Sequence, residues 1–180
     1  MKDLIVFFVS FYFLLLSTIG FGKIFEKFCY GGIEKDHNNL VYTGFYGLML
    51  VTFISLFTSY FVPHNFYHNL ILHSIGFLYF FVNFTKKNRD YLRHIFYISL
   101  LLISALIISK TNDDFSYYHF PFTKYLTEHK IIFGMGHLNH GFNLLSSLFF
   151  LNSTFYLPFI NFFSFHFSLL FFLIFFNYLY

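Results

Sequence analysis

The side chains best suited to chemistry lie in one polar stretch, residues 110–143, which separates long apolar runs. The stretch opens near two adjacent acids, Asp113 and Asp114. A carboxylate placed in this way can act as a general base that accepts the proton of an acceptor hydroxyl. We therefore predict Asp113 and Asp114 as catalytic residues. In the alternative interpretation the two acids only cap a helix at the membrane boundary, although capping explains one Asp better than two.

The same stretch carries basic and amide side chains that suit the polar head of an anionic substrate. The binding residues predicted on this ground are Lys130, His137, Asn139 and His140. His137 and His140 are three residues apart and could hold a metal together with a carboxylate. However, the four-ligand spacing of a structural zinc site is missing, and nearby glycines favour a loop. We predict no metal site, and the cofactor stays unknown with a divalent ion left open.

The composition predicts a membrane protein. Of the 180 residues, 57% are hydrophobic and 11% are charged, whereas a soluble domain has about 25% charged residues. We expect one all-α transmembrane domain over residues 1–180, built as a polytopic helical bundle and surrounded by membrane lipids. Nucleic acid is not a predicted partner, because the chain has no basic patch interleaved with aromatic residues. The single Cys29 excludes an internal disulfide.

Charge-free runs locate the predicted spans, since a helix needs about 20 apolar residues to cross a bilayer. The spans are expected at residues 4–21, 40–61, 69–84, 94–109 and 159–180. A shorter apolar run, 144–156, is predicted to be a short or re-entrant helix. Pro63 separates the second span from the third, because proline removes a helix donor. His73 lies inside the third span and is expected to face the bundle interior.

Two polar segments connect these spans. The connector 22–39 is predicted to be a loop with a short interfacial helix at IFEKF, and the Gly31-Gly32 pair is expected to break any helix. The loop 110–143 is predicted to hold a juxtamembrane amphipathic helix, because its apolar residues recur at helical spacing. Thr111, Asn112 and Asp113 suit its N-terminus, and Pro121 is expected to break or kink it.

The basic residues predict which side each segment faces. Segment 86–93 is the most basic loop, and the positive-inside rule places it in the cytoplasm. Alternation then puts 22–39 in the cytoplasm, and the N-terminus and 110–143 outside. We expect an integral protein of the bacterial inner (plasma) membrane. Because the chain stops within apolar sequence, we also expect it to be an N-terminal piece of a longer protein.

A resemblance to a known family rests on a particular order of residues: Asp113-Asp114, Tyr118-His119, Pro121, Gly134, His140-Gly141 and Asn143. This order follows a span and precedes an apolar helix, and it resembles the C-type integral-membrane glycosyltransferases, in particular a bacterial multi-pass branch. The resemblance implies that an acid serves as catalytic base and that a lipid-linked sugar phosphate is the donor. His119 and Asn143, which belong to the matched order, complete the predicted substrate-binding set.

The sequence therefore predicts sugar transfer at the extracytoplasmic face during cell-envelope glycan synthesis. The alternative is a non-enzymatic multi-pass protein, such as a transporter, a polymer-export component or a scaffold. A transporter is expected to carry ionisable groups or broken helices at mid-membrane. The spans contain essentially none beyond His73 and His166, which favours chemistry at the membrane edge.

Overall fold

The computed structural model describes residues 2–31, 40–84, 88–108, 114–137, 139–143 and 146–176, with side chains except at 40–41, 105–108 and 161–163. Within these ranges the chain is helical and forms no strand, which confirms the all-α prediction. The α-helices are α1 (Lys2–Tyr30), α2 (Leu40–Ser59), α3 (Phe66–Val82), α4 (Asn88–Ile108), α5 (Phe120–Glu128), α6 (Ser147–Thr154) and α7 (Phe167–Phe176). A π-helical turn covers Phe115–His119, and 3-10 segments cover Met135–His137, His140–Asn143 and Pro158–His166.

Helix α1 extends nine residues beyond the predicted span. The sequence predicted a connector from residue 22 with a separate short helix at IFEKF, but this segment continues α1 without a break to Tyr30. Neighbouring helices hold it: Lys23 Nζ donates to the Asn83 carbonyl at 2.6 Å, and Thr43 donates to Glu26 Oε1 at 2.7 Å. The helix ends where Gly31 adopts a φ of +62°, the left-handed conformation typical of helix C-termini.

The hairpin predicted at Pro63 is confirmed, because α2 ends at Ser59 and α3 begins at Phe66. Asn65 caps α3 by accepting a hydrogen bond from the His68 amide at 3.0 Å. Helix α4 begins at Asn88, six residues before the predicted start at 94, so the basic segment is mostly helical. Asp90 lies in the first turn of α4, where a negative charge interacts favourably with the helix dipole and stabilises the helix.

Glycines bring α1, α2 and α3 unusually close together. A Cβ atom at Gly47 in α2 would lie 1.8 Å from the Thr18 carbonyl oxygen of α1. A Cβ atom at Gly20 in α1 would lie 1.8 Å from the Gly76 carbonyl oxygen of α3. Small residues at helix crossings allow such backbone contact, which membrane helices use for packing.

The span predicted at 159–180 required one uniform α-helix. The C-terminal apolar segment is instead divided into two kinds of helix. A 3-10 segment from Pro158 leads into α7, and residues 177–180 lie outside the described residues. Tertiary contacts fix this geometry: Phe159 packs edge-on against Phe66 at 5.8 Å, and Phe165 packs against Phe120 at 5.8 Å. Pro158 also removes one backbone donor at the start of the segment.

Helix α6 occupies the run predicted as a short or re-entrant helix at 144–156. Ser146 caps it by accepting a hydrogen bond from the Leu148 amide, while residues 144–145 lie outside the described part. The helix packs against α2 and α5 and buries Phe149, Phe150 and Leu151. It therefore joins the long helices to the shorter elements at one end of the molecule.

Two helices are long and apolar enough to cross a membrane: α1, and Tyr42–Ser59 within α2. The apolar helices Phe66–Val82 and Ser164–Phe176 are shorter. Large apolar side chains also cover the outward faces of α2, α3, α4 and α7, among them Phe53, Phe57, Ile71, Ile75, Leu78, Leu101, Leu169 and Phe172.

Candidate functional site

Asp114 stands at the start of the helical elements that follow α4. Its side chain is exposed, and its backbone is already helical, with φ −62° and ψ −26°. The side chain makes no hydrogen bond that caps the π-helical turn Phe115–His119. Asp114 itself therefore does not cap this turn, and a capping role for Asp113 stays a prediction. Asp113, like Thr111 and Asn112, lies outside the described residues, so its pairing with Asp114 remains a prediction.

Pro121 explains the π-helical turn in front of α5. Proline lacks an amide hydrogen, and its ring clashes with the carbonyl four residues earlier in a regular α-helix. The wider turn Phe115–His119 comes directly before Pro121, which occupies the first turn of α5. The predicted break or kink at Pro121 thus takes the form of a π turn. Such turns are frequent at functional sites.

Helix α5 is amphipathic, as predicted for the loop. Its buried face consists of Phe122, Thr123, Leu126 and Thr127, which pack towards Phe149 and Phe150 of α6. Its outer face carries Lys124 and Glu128, paired at 3.0 Å. The apolar residues at helical spacing thus form the face of α5 that packs against the protein. The polar residues between them form the outer face, at the end of the bundle.

Lys124 is a positioned cation that the sequence argument did not select. Its Nζ atom donates to the Tyr156 hydroxyl at 3.3 Å and lies 4.8 Å from the centre of that ring. Burial lowers the pKa of Lys124, but hydrogen bonds to Glu128 and Tyr156 outweigh it and leave the pKa above its usual value. Lys124 therefore keeps a positive charge beside α5. In the sequence, the spacing of four residues between Lys124 and Glu128 indicated that the two side chains could pair on one helix face.

His119, a predicted substrate-binding residue, is half-buried among aromatic rings. Its ring centre lies 4.4 Å from that of Tyr118 and 5.1 Å from that of Phe149, both in edge-on geometry. This packing fixes the end of the π turn against α6. The position of His119 is thus better suited to holding the turn than to meeting a substrate.

The segment after α5 is a compact glycine-containing loop, as its glycines indicated. The predicted binding residues Lys130, His137, His140 and Asn143 are all exposed here. Asn139 is half-buried, and its Oδ1 atom accepts a hydrogen bond from the Gly141 amide at 2.9 Å. Asn139 therefore shapes the loop. The side chains of the other four predicted residues are exposed on the loop surface.

One glycine contact brings this loop against the π turn, and a second one closes the loop on itself. A Cβ atom at Gly141 would lie 2.6 Å from the Cβ atom of Tyr118, and a Cβ atom at Gly136 would collide with the Asn143 side chain. The His140–Asn143 segment consequently packs beside Phe115–His119, the turn that Asp114 begins. The structure thus gathers the described part of the predicted site, apart from Lys130, into the π turn and the two 3-10 segments of this loop.

Lys130 follows α5 on the side that faces α2. Its carbonyl oxygen accepts a hydrogen bond from the Tyr125 hydroxyl at 3.2 Å, and the next amide, of Ile131, donates to the Ser59 carbonyl at 2.9 Å. In the described part of the chain, no group of three or more His, Cys, Asp or Glu side chains could hold a metal ion. His137 and His140 therefore gain no third ligand there.

Beneath these elements lies a buried polar cluster that sequence reasoning missed. Asn69 is fully buried, and its amide nitrogen contacts three carbonyl oxygens, those of His64, Ser153 and Tyr156, at 2.8, 2.9 and 3.0 Å. Its Oδ1 atom accepts from His68 Nδ1 at 3.0 Å. A single side chain thereby joins the α2–α3 turn to the end of α6. The repeated His-Asn pairs at 64–65 and 68–69 were its sequence signal.

His64 is held between two hydroxyl groups. Its Nδ1 atom lies 2.6 Å from Ser153 Oγ, and its Nε2 atom lies 3.0 Å from Thr58 Oγ1. Each hydroxyl also donates to the carbonyl three residues earlier in its own helix, at 2.7 and 3.3 Å respectively. Burial, with a smaller effect of His68, lowers the pKa of His64 to about 3. His64 is therefore a neutral structural residue.

His73 is also buried, as expected for a polar residue within an apolar helix. Its Nε2 atom faces the Thr154 carbonyl at 3.1 Å, and its Nδ1 atom faces Ser17 Oγ at 3.0 Å. Since a carbonyl only accepts, Nε2 carries the hydrogen and Nδ1 accepts from Ser17. His73 thus fastens α1, α3 and α6 together.

The exposed groups of the candidate site combine a carboxylate with imidazoles and cations at one end of the bundle. Such a set can accept a proton and bind an anionic head group. No curated protein and no solved structure matches the chain. A family model matches residues 4–180, nearly the whole sequence. The chain therefore belongs to the family described as Domain of unknown function (DUF8201).

Proposed function

We propose that the protein is a polytopic membrane protein of the bacterial inner membrane, with segment 86–93 in the cytoplasm and 110–143 outside. The exposed apolar surface of α2, α3, α4 and α7 supports a place in a membrane, and the basic residues of 86–93 are the reason for the proposed orientation. Monomeric soluble proteins rarely expose contiguous apolar patches larger than a few hundred Å². Lys23 and Arg89 lie near the cytoplasmic ends of α1 and α4 in this orientation, and the exposed loop 130–143 lies at the opposite end.

Within this membrane placement, the proposed activity is transfer of a sugar from a lipid-linked phosphate donor at the extracytoplasmic face, in cell-envelope glycan synthesis. One observation carries the proposal: Asp114 is exposed at the start of the π turn. An exposed carboxylate at this position can approach an acceptor hydroxyl at the water–lipid boundary. Asp113, its neighbour in sequence, is the second candidate base.

The proposed binding groups for the donor phosphate are His137, His140 and Asn143, with the cation of Lys124 at the same end of the bundle. Charge-assisted hydrogen bonds to phosphate are about twice as strong as neutral ones. Lys130 is exposed at the end of α5 and adds positive charge to this surface. His119 and Asn139 are assigned a positioning role, because their contacts stay within the protein.

The test uses the full chain in lipid nanodiscs with synthetic polyprenyl-phosphate glucose, galactose and mannose, each radiolabelled in the polyprenyl phosphate. Glycans extracted from bacterial membranes serve as acceptors, and release of polyprenyl phosphate is measured with and without Mg²⁺ and Mn²⁺. We expect Asp114→Asn or Asp113→Asn to slow release by roughly 10²–10⁴-fold, the usual contribution of a positioned base. The matched control is Asp90→Asn, at the opposite end of the bundle.

Two results would contradict the proposal. One is rates within a few-fold of wild type for both variants at equal folding, which would leave the acids without a catalytic role. The other is no release from any donor by the wild-type protein under these conditions.

A further inference from the structure

A crevice of about 500 Å³ opens between α1 and α4, away from the proposed catalytic end. Its walls are apolar and come from Leu15 and Leu16 on α1 and from Leu92, Ile95 and Phe96 on α4. The volume falls within the roughly 300–1,000 Å³ typical of small-molecule sites. The walls suit an apolar ligand.

One end of the crevice is closed by contacts between the two helices. The Tyr12 hydroxyl lies 2.9 Å from Ser99 Oγ, and the Tyr12 ring stacks on Phe96 at 5.6 Å between ring centres. Beyond this point α1 and α4 are fastened to each other. A ligand chain that enters from the other end therefore meets a floor formed by Tyr12.

The open end is basic. Arg89 and Arg93 are four residues apart on α4, so they share one face of the helix, and both line the crevice. Arg93 pairs with Asp90 at 3.3 Å, with 62% and 75% of their side chains exposed. The three charges sum to +1, from two arginines and one aspartate.

The arginines and the apolar walls of the crevice are spaced as the charged and apolar parts of an amphiphile would require. Arg89 and Ser99 are ten residues apart on α4, which corresponds to about 15 Å along a helix. A ligand that fits must therefore carry a negative group at one end and a long apolar part at the other. A free phosphate would satisfy the arginines and leave the apolar walls uncovered.

We propose that this crevice binds one anionic phospholipid of the cytoplasmic leaflet. Its acyl chain lies between α1 and α4, and its phosphate meets Arg89 and Arg93, since guanidinium groups bind phosphate in a bidentate manner. A zwitterionic lipid would bring its own cation towards the same arginines. The inference rests on the membrane placement proposed above, and it does not depend on the sugar-transfer activity.

Native mass spectrometry of the full chain, purified in detergent, tests the site with an equimolar mixture of phosphatidylglycerol and phosphatidylcholine. We expect one retained phosphatidylglycerol at several-fold excess over phosphatidylcholine. The double variant Arg89→Gln/Arg93→Gln should reduce this retention about tenfold, and the control Lys27→Gln, at an exposed position on α1, should leave it unchanged. Leu16→Trp, which fills the crevice and keeps both arginines, should also reduce it.

Equal retention of the two lipids, or unchanged retention in the double arginine variant, would overturn the proposal. Glycerol phosphate that displaces the lipid as effectively as a full phospholipid would instead identify a site for free phosphate. Melting temperatures of the variants, measured in the same detergent, show whether each is folded. Because lipid retention is measured without a sugar donor, it can fail while the transfer assay succeeds, and the reverse also holds.

Discussion

The Nδ1 atom of His64 lies 2.6 Å from the Oγ atom of Ser153 and joins the α2–α3 turn to α6. The two residues are separated by 89 positions in sequence. Both are fully buried, where a polar contact gains strength because the local dielectric is low. Asn69 supports the same junction from below by contacting the carbonyls of His64 and Ser153. The short elements that follow α4 therefore rest on a buried polar base.

The first prediction concerns Asn69. Asn69→Leu removes the donor to buried carbonyls, each of which costs about 1–3 kcal/mol when left without a partner. We expect a loss of roughly 3 kcal/mol, equivalent to a melting temperature about 6–12 °C lower for a chain of this size. Thermal unfolding in detergent measures it. The same substitution at the exposed Asn143 is the control, and equal melting temperatures for the two variants would refute the prediction.

The second prediction concerns pH. Burial lowers the pKa of His64 to about 3 in the folded protein, whereas an unfolded histidine titrates near 6.5. Below pH of about 6.5 the unfolded chain therefore binds a proton that the native protein does not. Stability is present above this pH and is lost as the pH falls towards 3, by up to about 1.4 kcal/mol per pH unit.

We expect His64→Gln to have a shallower pH dependence than wild type between pH 7 and pH 5, although it is less stable at pH 7. Melting temperatures measured across this range provide the check. His140→Gln, at an exposed position, should keep the wild-type slope. Parallel curves for His64→Gln and wild type would show that His64 does not cause the acid sensitivity.

The third prediction concerns the helix crossings. Gly47→Ala places a Cβ atom against the Thr18 carbonyl oxygen, and Gly20→Ala places one against that of Gly76. Because backbone atoms cannot rotate away, the helices must separate, and overpacking typically costs about 1–3 kcal/mol. Both variants should melt at lower temperature and give less monodisperse protein on gel filtration.

The matched glycine control is Gly31→Asn. Nothing lies within 4 Å of a Cβ atom at Gly31, and asparagine tolerates its left-handed backbone. It should behave as wild type. If Gly31→Asn destabilises as much as Gly47→Ala, close packing is not the reason for these glycines.

The fourth prediction concerns sidedness. Cys29 is exposed near the end of α1, and the proposed orientation places it in the cytoplasm. A membrane-impermeant maleimide should label Cys29 only after cells are permeabilised. Lys130→Cys in a Cys29→Ser background should be labelled in intact cells. The opposite pattern at both positions would reverse the topology.

The sequence predicted the all-α class and the break between α2 and α3, because both depend on the local sequence. The charge-free runs and Pro63 locate α2 and α3 to within a few residues. The length of α1 was underestimated, since partners distant in sequence hold its polar end as helix, for example Asn83 for Lys23. The 3-10 segment before α7 likewise depends on rings from other elements, such as Phe66.

The candidate site was predictable only in part. Its acids and histidines were visible because they interrupt apolar sequence. The buried cluster of His64, Asn69 and Ser153 was not, because Ser153 lies 89 and 84 positions from the other two and meets them only after folding. His119 shows the converse: its type suggested binding, but neighbouring rings enclose it.

The contact of α1 with α7 has a consequence for the order of folding. Phe11 packs on Phe167 at 5.1 Å and on Phe171 at 5.3 Å between ring centres. Helices α1, α2 and α3 can associate through their glycine crossings as soon as all three are synthesised. The partners of Phe11 in α7 are synthesised more than 150 residues later. During translation this face of α1 remains open, and the arrival of α7 is the event that completes the core.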